Sequence, residues 1–90
     1  MGLLFEWDSQ KAERNIRTHG VSFDEASTSF RDPLSRTIGD PLHSEDEERY
    51  VLIGQSIGGR LLVVVHTFQE LDEQNAAVRI ISARLATKHE

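Results

Sequence analysis

The residues best suited to chemistry in this 90-residue sequence are a histidine and three arginines of its second half. Arg60 begins the most apolar segment and His66 follows on the same face if that segment is a strand. Arg79 comes from the next predicted strand, and Arg84 comes from the predicted terminal helix that follows it. A histidine transfers protons near neutral pH, and an arginine holds phosphate oxygens through paired hydrogen bonds. We therefore predict that His66, Arg60, Arg79 and Arg84 line one concave surface and act on a phosphate ester.

Three further basic side chains, Arg49, His19 and Lys88, are predicted to bind the same anion. Each basic residue also has a structural interpretation that the sequence leaves open. His66 fits a half-buried histidine of a strand, and His19 fits the negative end of a helix dipole. Arg49 follows Glu45 at the spacing of a helical ion pair.

A metal site is the alternative chemistry. His43, Glu45, Glu47 and Glu48 lie close together in sequence. Their spacing matches no established metal motif, and acidic runs are usually solvated. We therefore expect no metal and no cofactor, and His43 is expected to order the acidic loop.

Charge is distributed unevenly along the chain, whose net charge is −5. Residues 1–48 carry eleven acidic and five basic side chains, whereas residues 49–90 carry four and five. An anion-binding surface is therefore expected in the second half. The longest apolar run, residues 61–65, is far shorter than a membrane span of about twenty residues. The first residues lack a basic stretch, and the chain has no cysteine, so we expect a single soluble, cytoplasmic domain.

The elements that must position these residues follow from periodicity and capping signals. Alternation predicts a strand over residues 3–7, and Asp8 and Gly20 delimit a first helix from Ser9 to Thr18. Ser22 and Glu25 form a capping-box pattern before a second helix, residues 23–30. Strands are predicted over residues 34–38, 49–56, 60–68 and 78–82, with a hairpin at Gly58-Gly59, and a terminal helix over residues 83–89.

This order predicts an α+β fold. Two N-terminal helices pack on one face of an antiparallel sheet of about four strands, and a short C-terminal helix follows. The other face of the sheet stays partly open, and we expect the functional site there.

A family signature runs through nearly the whole chain in order. It includes a Phe-Glu-Trp-Asp start, a His-Gly-Val-Ser-Phe segment after the first helix, and a Ser-Ala-Arg triplet near the end. With these and further matches, the sequence resembles the BrnT (DUF497) family. The matching segments are residues 5–8, 11–12, 15, 19–23, 25–26, 32–33, 43–44, 47–49, 53–54, 59–64, 79–84 and 86–87.

The resemblance implies a RelE-like ribonuclease toxin of a type II toxin–antitoxin system, which cleaves RNA and inhibits translation. It implies a BrnA-like ribbon-helix-helix antitoxin as partner, and operator DNA contacted only through that antitoxin, with the pair repressing its own operon. The predicted active residues would then be ribonuclease residues, and Arg49, His19 and Lys88 would bind RNA.

Three positions depart from the family pattern. Thr18, Gln69 and Leu85 stand where family members tend to carry basic residues. The alternative interpretation is therefore a catalytically weak binding module that retains the fold and the antitoxin interface.

Overall fold

A mixed five-stranded sheet and two short helices make up the structure, a computed structural model that describes residues 2–39, 48–88 and 90. The two predicted N-terminal helices and the hairpin at Gly58-Gly59 are confirmed, and Gly59 has the positive φ of 84° that such a turn requires. In chain order the elements are β1 Gly2–Glu6, α1 Ser9–His19, α2 Phe23–Thr28, the 3₁₀ turn Ser29–Arg31, β2 Arg36–Gly39, β3 Arg49–Gln55, β4 Leu61–Glu70 and β5 Asn75–Leu85.

The sheet has the strand order β1-β5-β4-β3-β2. The prediction of a wholly antiparallel sheet of about four strands is wrong, because β1 runs parallel to β5 at one edge while the other neighbouring pairs are antiparallel. No helix in the described part of the chain is long and apolar enough to cross a membrane.

The predicted C-terminal helix is also wrong. Ala83, Arg84 and Leu85 continue β5 and pair with the first half of β4. After β5 the backbone of Ala86 donates a hydrogen bond of 2.9 Å to Leu61, and residues 86–88 form no helix. Pairing along the full length of a central strand satisfies more backbone groups than one isolated helical turn would, so tertiary context overrides the local helix signal.

The caps of both helices follow the sequence pattern except at one side chain. The Asp8 carboxylate accepts hydrogen bonds from the first turn of α1, and Gly20 ends that helix in the left-handed region with φ 70°. Ser22 accepts from the backbone of Glu25 at 3.0 Å. Glu25 itself does not reach back to Ser22, because its carboxylate turns toward β4.

The hydrophobic core lies between the helices and one face of the sheet. Its centre is formed by Val21, Phe23 and Ala26 against residues of β4 and β5, and the first strand packs at its margin. The opposite sheet face carries no helix in the described residues, and we call it the open face. Its side chains, assigned from the strand register, include Leu4 and Glu6 of β1, Arg36 and Ile38 of β2, Arg49, Val51 and Ile53 of β3, Val63, Val65 and Thr67 of β4, and Arg79, Ser82 and Arg84 of β5.

Candidate functional site

His66 lies on the helix face of the sheet, away from Arg79 and Arg84, two of the arginines that were predicted to join it. Its side chain is 2% exposed, and it pairs across the sheet with Ile80 of the core. The register between β4 and β5 shifts at this point, so Ile81 is an extra residue in β5. Arg79 lies opposite Thr67 and Arg84 opposite Val63, and both arginines therefore face the other side. The structure does not bring His66 together with Arg79 and Arg84.

Arg60 is held by Glu25 of α2. Its guanidinium donates to both carboxylate oxygens, with Nε 2.9 Å from Oε2 of Glu25, and to the carbonyl oxygen of Gly20 at 3.1 Å. Ser56 donates a further hydrogen bond to the same carboxylate at 2.7 Å. Arg60 above all, and then Ser56, lowers the pKa of Glu25 to about 2. A phosphate group could bind Arg60 only by competing with the Glu25 carboxylate, which binds the guanidinium in a bidentate manner.

The open face carries the remaining predicted arginines. Arg79 is exposed, and Arg49 and Arg84 are partly exposed beside a central strip of valine and isoleucine. Arg84 forms an ion pair with Glu90, and this pair lowers the pKa of the Glu90 carboxyl to about 2. Lys88 is exposed in the segment after β5.

A groove of about 250 Å³ lies between α1 and the bulged part of β5. We call it the α1–β5 groove. Sequence analysis predicted His19 as an anion contact but did not predict Lys11 or Arg14. Their spacing of three residues, which places both on one stripe of a helix, is the signal that would have found them. The groove is lined by Lys11, Arg14, Asn15, Thr18, His19 and Ile81.

Asn15 holds the two walls of the α1–β5 groove together. Its amide nitrogen donates to the carbonyl oxygens of Val21 at 2.9 Å and Ala83 at 2.7 Å, and its amide oxygen accepts from the backbone of Ala83 at 3.1 Å. Because β1 ends at Glu6, the second half of β5 has no strand beside it on this edge, and Asn15 satisfies backbone groups that would otherwise lack a partner.

Positive charge extends from the groove toward the open face. The pKa of Asp8 is lowered by the backbone N–H groups of Lys11 and Gln10, and more weakly by the charges of Lys11 and Arg79. Arg79 therefore lies near enough to the first turn of α1 to act on its cap electrostatically. Lys11, Arg14, His19 and Arg79 form the basic region of this edge of the molecule.

Most of the residues considered above as candidate metal ligands lie outside the described part of the chain, since His43, Glu45 and Glu47 fall in residues 40–47. Glu48 is described, and it accepts a hydrogen bond of 2.7 Å from Tyr50. Within residues 2–39, 48–88 and 90, no three histidine or carboxylate side chains are grouped so that they could hold a metal ion.

Comparison with known proteins identifies the class to which this chain and its fold belong. The family model of BrnT, the ribonuclease toxin of type II toxin–antitoxin systems, matches residues 7–90. The chain therefore belongs to the BrnT family.

A solved structure supports this assignment. The crystal structure of the Brucella abortus ribonuclease toxin BrnT superposes with a TM-score of 0.65 at 25% sequence identity. The match covers 98% of this chain and 100% of that one. Among curated proteins, no sequence matches the chain closely enough to count as a relative.

Proposed function

We propose that this protein is a metal-independent endoribonuclease that stops translation by cleaving RNA, and that the α1–β5 groove is where it holds the RNA. The observation that carries the proposal is the position of His19 beside Lys11 and Arg14 in one groove of a BrnT-family chain. The relationship to RelE-type toxins and an action in the cytoplasm are parts of the same proposal.

The groove supplies the side chains that such cleavage needs. A base removes the proton of a 2′-hydroxyl, the freed oxygen attacks the neighbouring phosphorus, and the bond to the 5′-oxygen breaks as that oxygen gains a proton. His19 is the exposed imidazole suited to one of these proton transfers. Lys11 and Arg14 stabilise the charge that develops on the phosphate oxygens, and Arg79 extends the phosphate contacts toward the open face.

Among the residues predicted from sequence, this proposal keeps Arg49 and Lys88 as RNA contacts. It reassigns Arg79 and Arg84 from catalysis to RNA contacts, for which Arg84 would exchange its ion pair with Glu90 for a phosphate. It moves the proton transfer from His66 to His19. Arg60 is assigned a structural role, because its Nε and Nη2 already donate to the Glu25 carboxylate.

The test compares cleavage of a short RNA by the wild type and by His19→Ala, measured as the first-order rate at saturating enzyme. We expect a loss of a hundredfold or more, the usual effect of removing a general acid or base. Arg17→Ala is the matched control, since Arg17 is an exposed basic residue of α1 that does not line the groove. Equal rates for His19→Ala and the wild type would refute the site.

The open face is proposed as the surface that the antitoxin covers. Ile38 is 60% exposed and Leu61 is 45% exposed, and they border the valine and isoleucine strip of the central strands. Arg36, Arg49 and Arg79 flank this strip, and Arg84 flanks it as an ion pair with Glu90; among the described strand positions of the open face, Glu6 is acidic. An apolar centre with a basic rim is complementary to an acidic amphipathic segment. We propose that such a segment of a BrnA-like ribbon-helix-helix antitoxin binds here, and that the complex represses its operon through the antitoxin's DNA-binding part.

The partner is tested by co-purification with the ribbon-helix-helix protein encoded next to this chain. Ile38→Asp should weaken the complex at least tenfold, because it places a charge in the apolar strip. Leu34→Asp is the control, because Leu34 is 84% exposed and lies outside the open face. Equal affinity of both variants would place the antitoxin on another surface.

A second candidate is the catalytically weak binding module. Thr18 lines the α1–β5 groove and is neutral where the family tends to have a basic residue. In this alternative the protein retains the fold and the antitoxin interface but has lost most of its RNA cleavage. Binding of the antitoxin with no measurable RNA cleavage by the wild type would favour it over the ribonuclease.

A further inference from the structure

A second cavity lies on the helix face, remote from the α1–β5 groove in sequence and in its lining residues. It has a volume of about 400 Å³, within the range of roughly 300–1,000 Å³ typical of small-molecule sites. The 3₁₀ turn, β2, β3 and β4 contribute its walls. Its lining includes three aromatic side chains, two aliphatic hydroxyls and one imidazole: Phe30, Tyr50, Phe68, Ser35, Thr37 and His66.

His66 presents a hydrogen-bond acceptor to this cavity. Its Nδ1 lies 3.2 Å from the carbonyl oxygen of Val64, and because a carbonyl oxygen can only accept, Nδ1 must carry the proton. Nε2 then has a lone pair, and no described residue donates to it. Burial lowers the pKa of His66, so the imidazole is neutral at pH 7. Nε2 is accessible from the cavity, so a ligand N–H group can reach it and form the hydrogen bond that water otherwise makes.

The walls of the cavity suit a flat ring. Phe30 contacts the His66 ring edge-on, with centroids 4.8 Å apart, and Tyr50 lies 6.0 Å from it at a tilt of 32°. The hydroxyls of Ser35 and Thr37 have no hydrogen-bond partner among the described residues, and each can donate or accept. None of the described residues that line the cavity is a lysine or an arginine, so its chemistry matches a neutral heterocycle and not a phosphate group.

We propose that this cavity binds a purine or pyrimidine base, which donates an N–H to Nε2 of His66 and lies among the rings of Phe30, Tyr50 and Phe68. A base combines flat apolar faces with edge donors and acceptors, which is the combination that the lining offers. The base can belong to a free nucleoside or to an RNA strand. The inference goes beyond RNA cleavage, since binding at this cavity does not require that the chain cut RNA.

The test is titration of the ¹⁵N-labelled full chain with each of the four nucleosides and with an uncleavable 2′-deoxy-substituted trinucleotide, followed by NMR. The expected result is a shift of the His66 imidazole signals and of the amides of β3 and β4. His66→Phe keeps the ring and its packing but removes the acceptor, and it should weaken binding about tenfold. Saturation by a nucleoside alone identifies a free nucleoside as sufficient ligand; saturation by the trinucleotide alone identifies a base within RNA. Both results support the proposal.

Two further variants keep the test decisive. Thr37→Val removes an exposed hydroxyl without changing shape, and it should weaken binding three- to tenfold even if His66→Phe fails to fold. His19→Phe should leave nucleoside binding unchanged while it abolishes RNA cleavage, so the failure of one proposal is separate from the failure of the other. The proposal is overturned if neither nucleosides nor the trinucleotide shift the signals of His66 at millimolar concentration. It is also overturned if toluene, as a probe for an apolar partner side chain, shifts them and the bases do not.

Discussion

Replacing Asn15 with alanine removes three hydrogen bonds that join α1 to β5 and to the segment after α1. Asn15 is 6% exposed, so the groups it leaves behind are shielded from bulk water. They are the backbone N–H and carbonyl of Ala83 and the carbonyl of Val21. The substitution therefore tests whether this one side chain holds the walls of the α1–β5 groove in place.

The expected loss of stability follows from these groups. An unsatisfied buried donor or acceptor costs about 1–3 kcal/mol, and water entering the vacated space recovers part of that cost. We expect Asn15→Ala to lower the free energy of unfolding by about 3 kcal/mol. A domain of this size is stable by roughly 5–13 kcal/mol, so the variant should fold but melt about 12–24 °C lower.

The assay is urea and thermal unfolding followed by circular dichroism, with RNA cleavage measured in parallel at a temperature where the variant is folded. Glu13→Ala is the matched control, because Glu13 is an exposed residue of the same helix. It should change stability by less than about 0.5 kcal/mol. Asn15→Asp adds a second check. Its carboxylate would face two carbonyl oxygens, which raises its pKa, so the variant should recover stability as the pH falls and lose it as the pH rises.

A loss below about 1 kcal/mol for Asn15→Ala would refute the reasoning, because it would mean that the three backbone groups find equivalent partners without the side chain. If Asn15→Ala loses stability but cleaves RNA at the wild-type rate, the claim that Asn15 positions α1 for RNA binding is refuted, while the claim about stability stands.

Three other predictions follow from single side chains. Glu25→Gln should lower the free energy of unfolding by about 1–2 kcal/mol at pH 7. Because the folded-state pKa of Glu25 lies near 2, below its usual 4.5, urea unfolding should show this difference above pH 4.5 and its loss as the pH falls toward 2. An equal difference at pH 7 and pH 2.5 would contradict the prediction. Gly54→Ala should lower the free energy of unfolding by about 2 kcal/mol in the same assay, since the added Cβ would lie 2.8 Å from a carbonyl oxygen of the 3₁₀ turn. Gly39→Ala is the control and should be near neutral, because a Cβ there would meet no described atom within 4 Å. Similar losses for both variants would count against the packing argument. Thr18→Lys should increase RNA cleavage several-fold by adding a cation to the groove, and Gln74→Lys, an exposed change of equal charge, should not; equal rates of both variants would show that Thr18 does not limit activity.

Local signals in the sequence determined the two N-terminal helices, the residues Asp8, Gly20 and Ser22 that cap them, and the central hairpin. Asp8, Gly20 and Ser22 act within one helical turn of themselves, so their roles can be predicted without knowing the rest of the fold. The family pattern likewise identified the BrnT family from sequence alone, and the family model over residues 7–90 confirms it.

The site depended on contacts between distant parts of the chain. Because side chains alternate along a strand, the sequence alone predicts Arg60 and His66 on one face of the segment that forms β4. Only the register with β5, including the extra residue Ile81, shows that Arg79 and Arg84 lie on the other face. A shift by one residue moves a side chain to the opposite face of a sheet, and no local signal in β4 or β5 fixes that register.

The same reason explains the remaining differences. Glu25 fits a capping box when only its own helix is considered. In the structure it instead forms a bidentate ion pair with Arg60, which is 35 residues away in sequence. Residues 83–85 fit the start of a helix locally, but β4 provides hydrogen-bond partners for them as a strand. The sequence by itself determined which short segments are helical at the N-terminus and to which family the chain belongs. Only the tertiary structure decided which charged groups are already paired, and which face of the sheet and which groove the others reach, because those outcomes depend on register and on partners far apart in sequence.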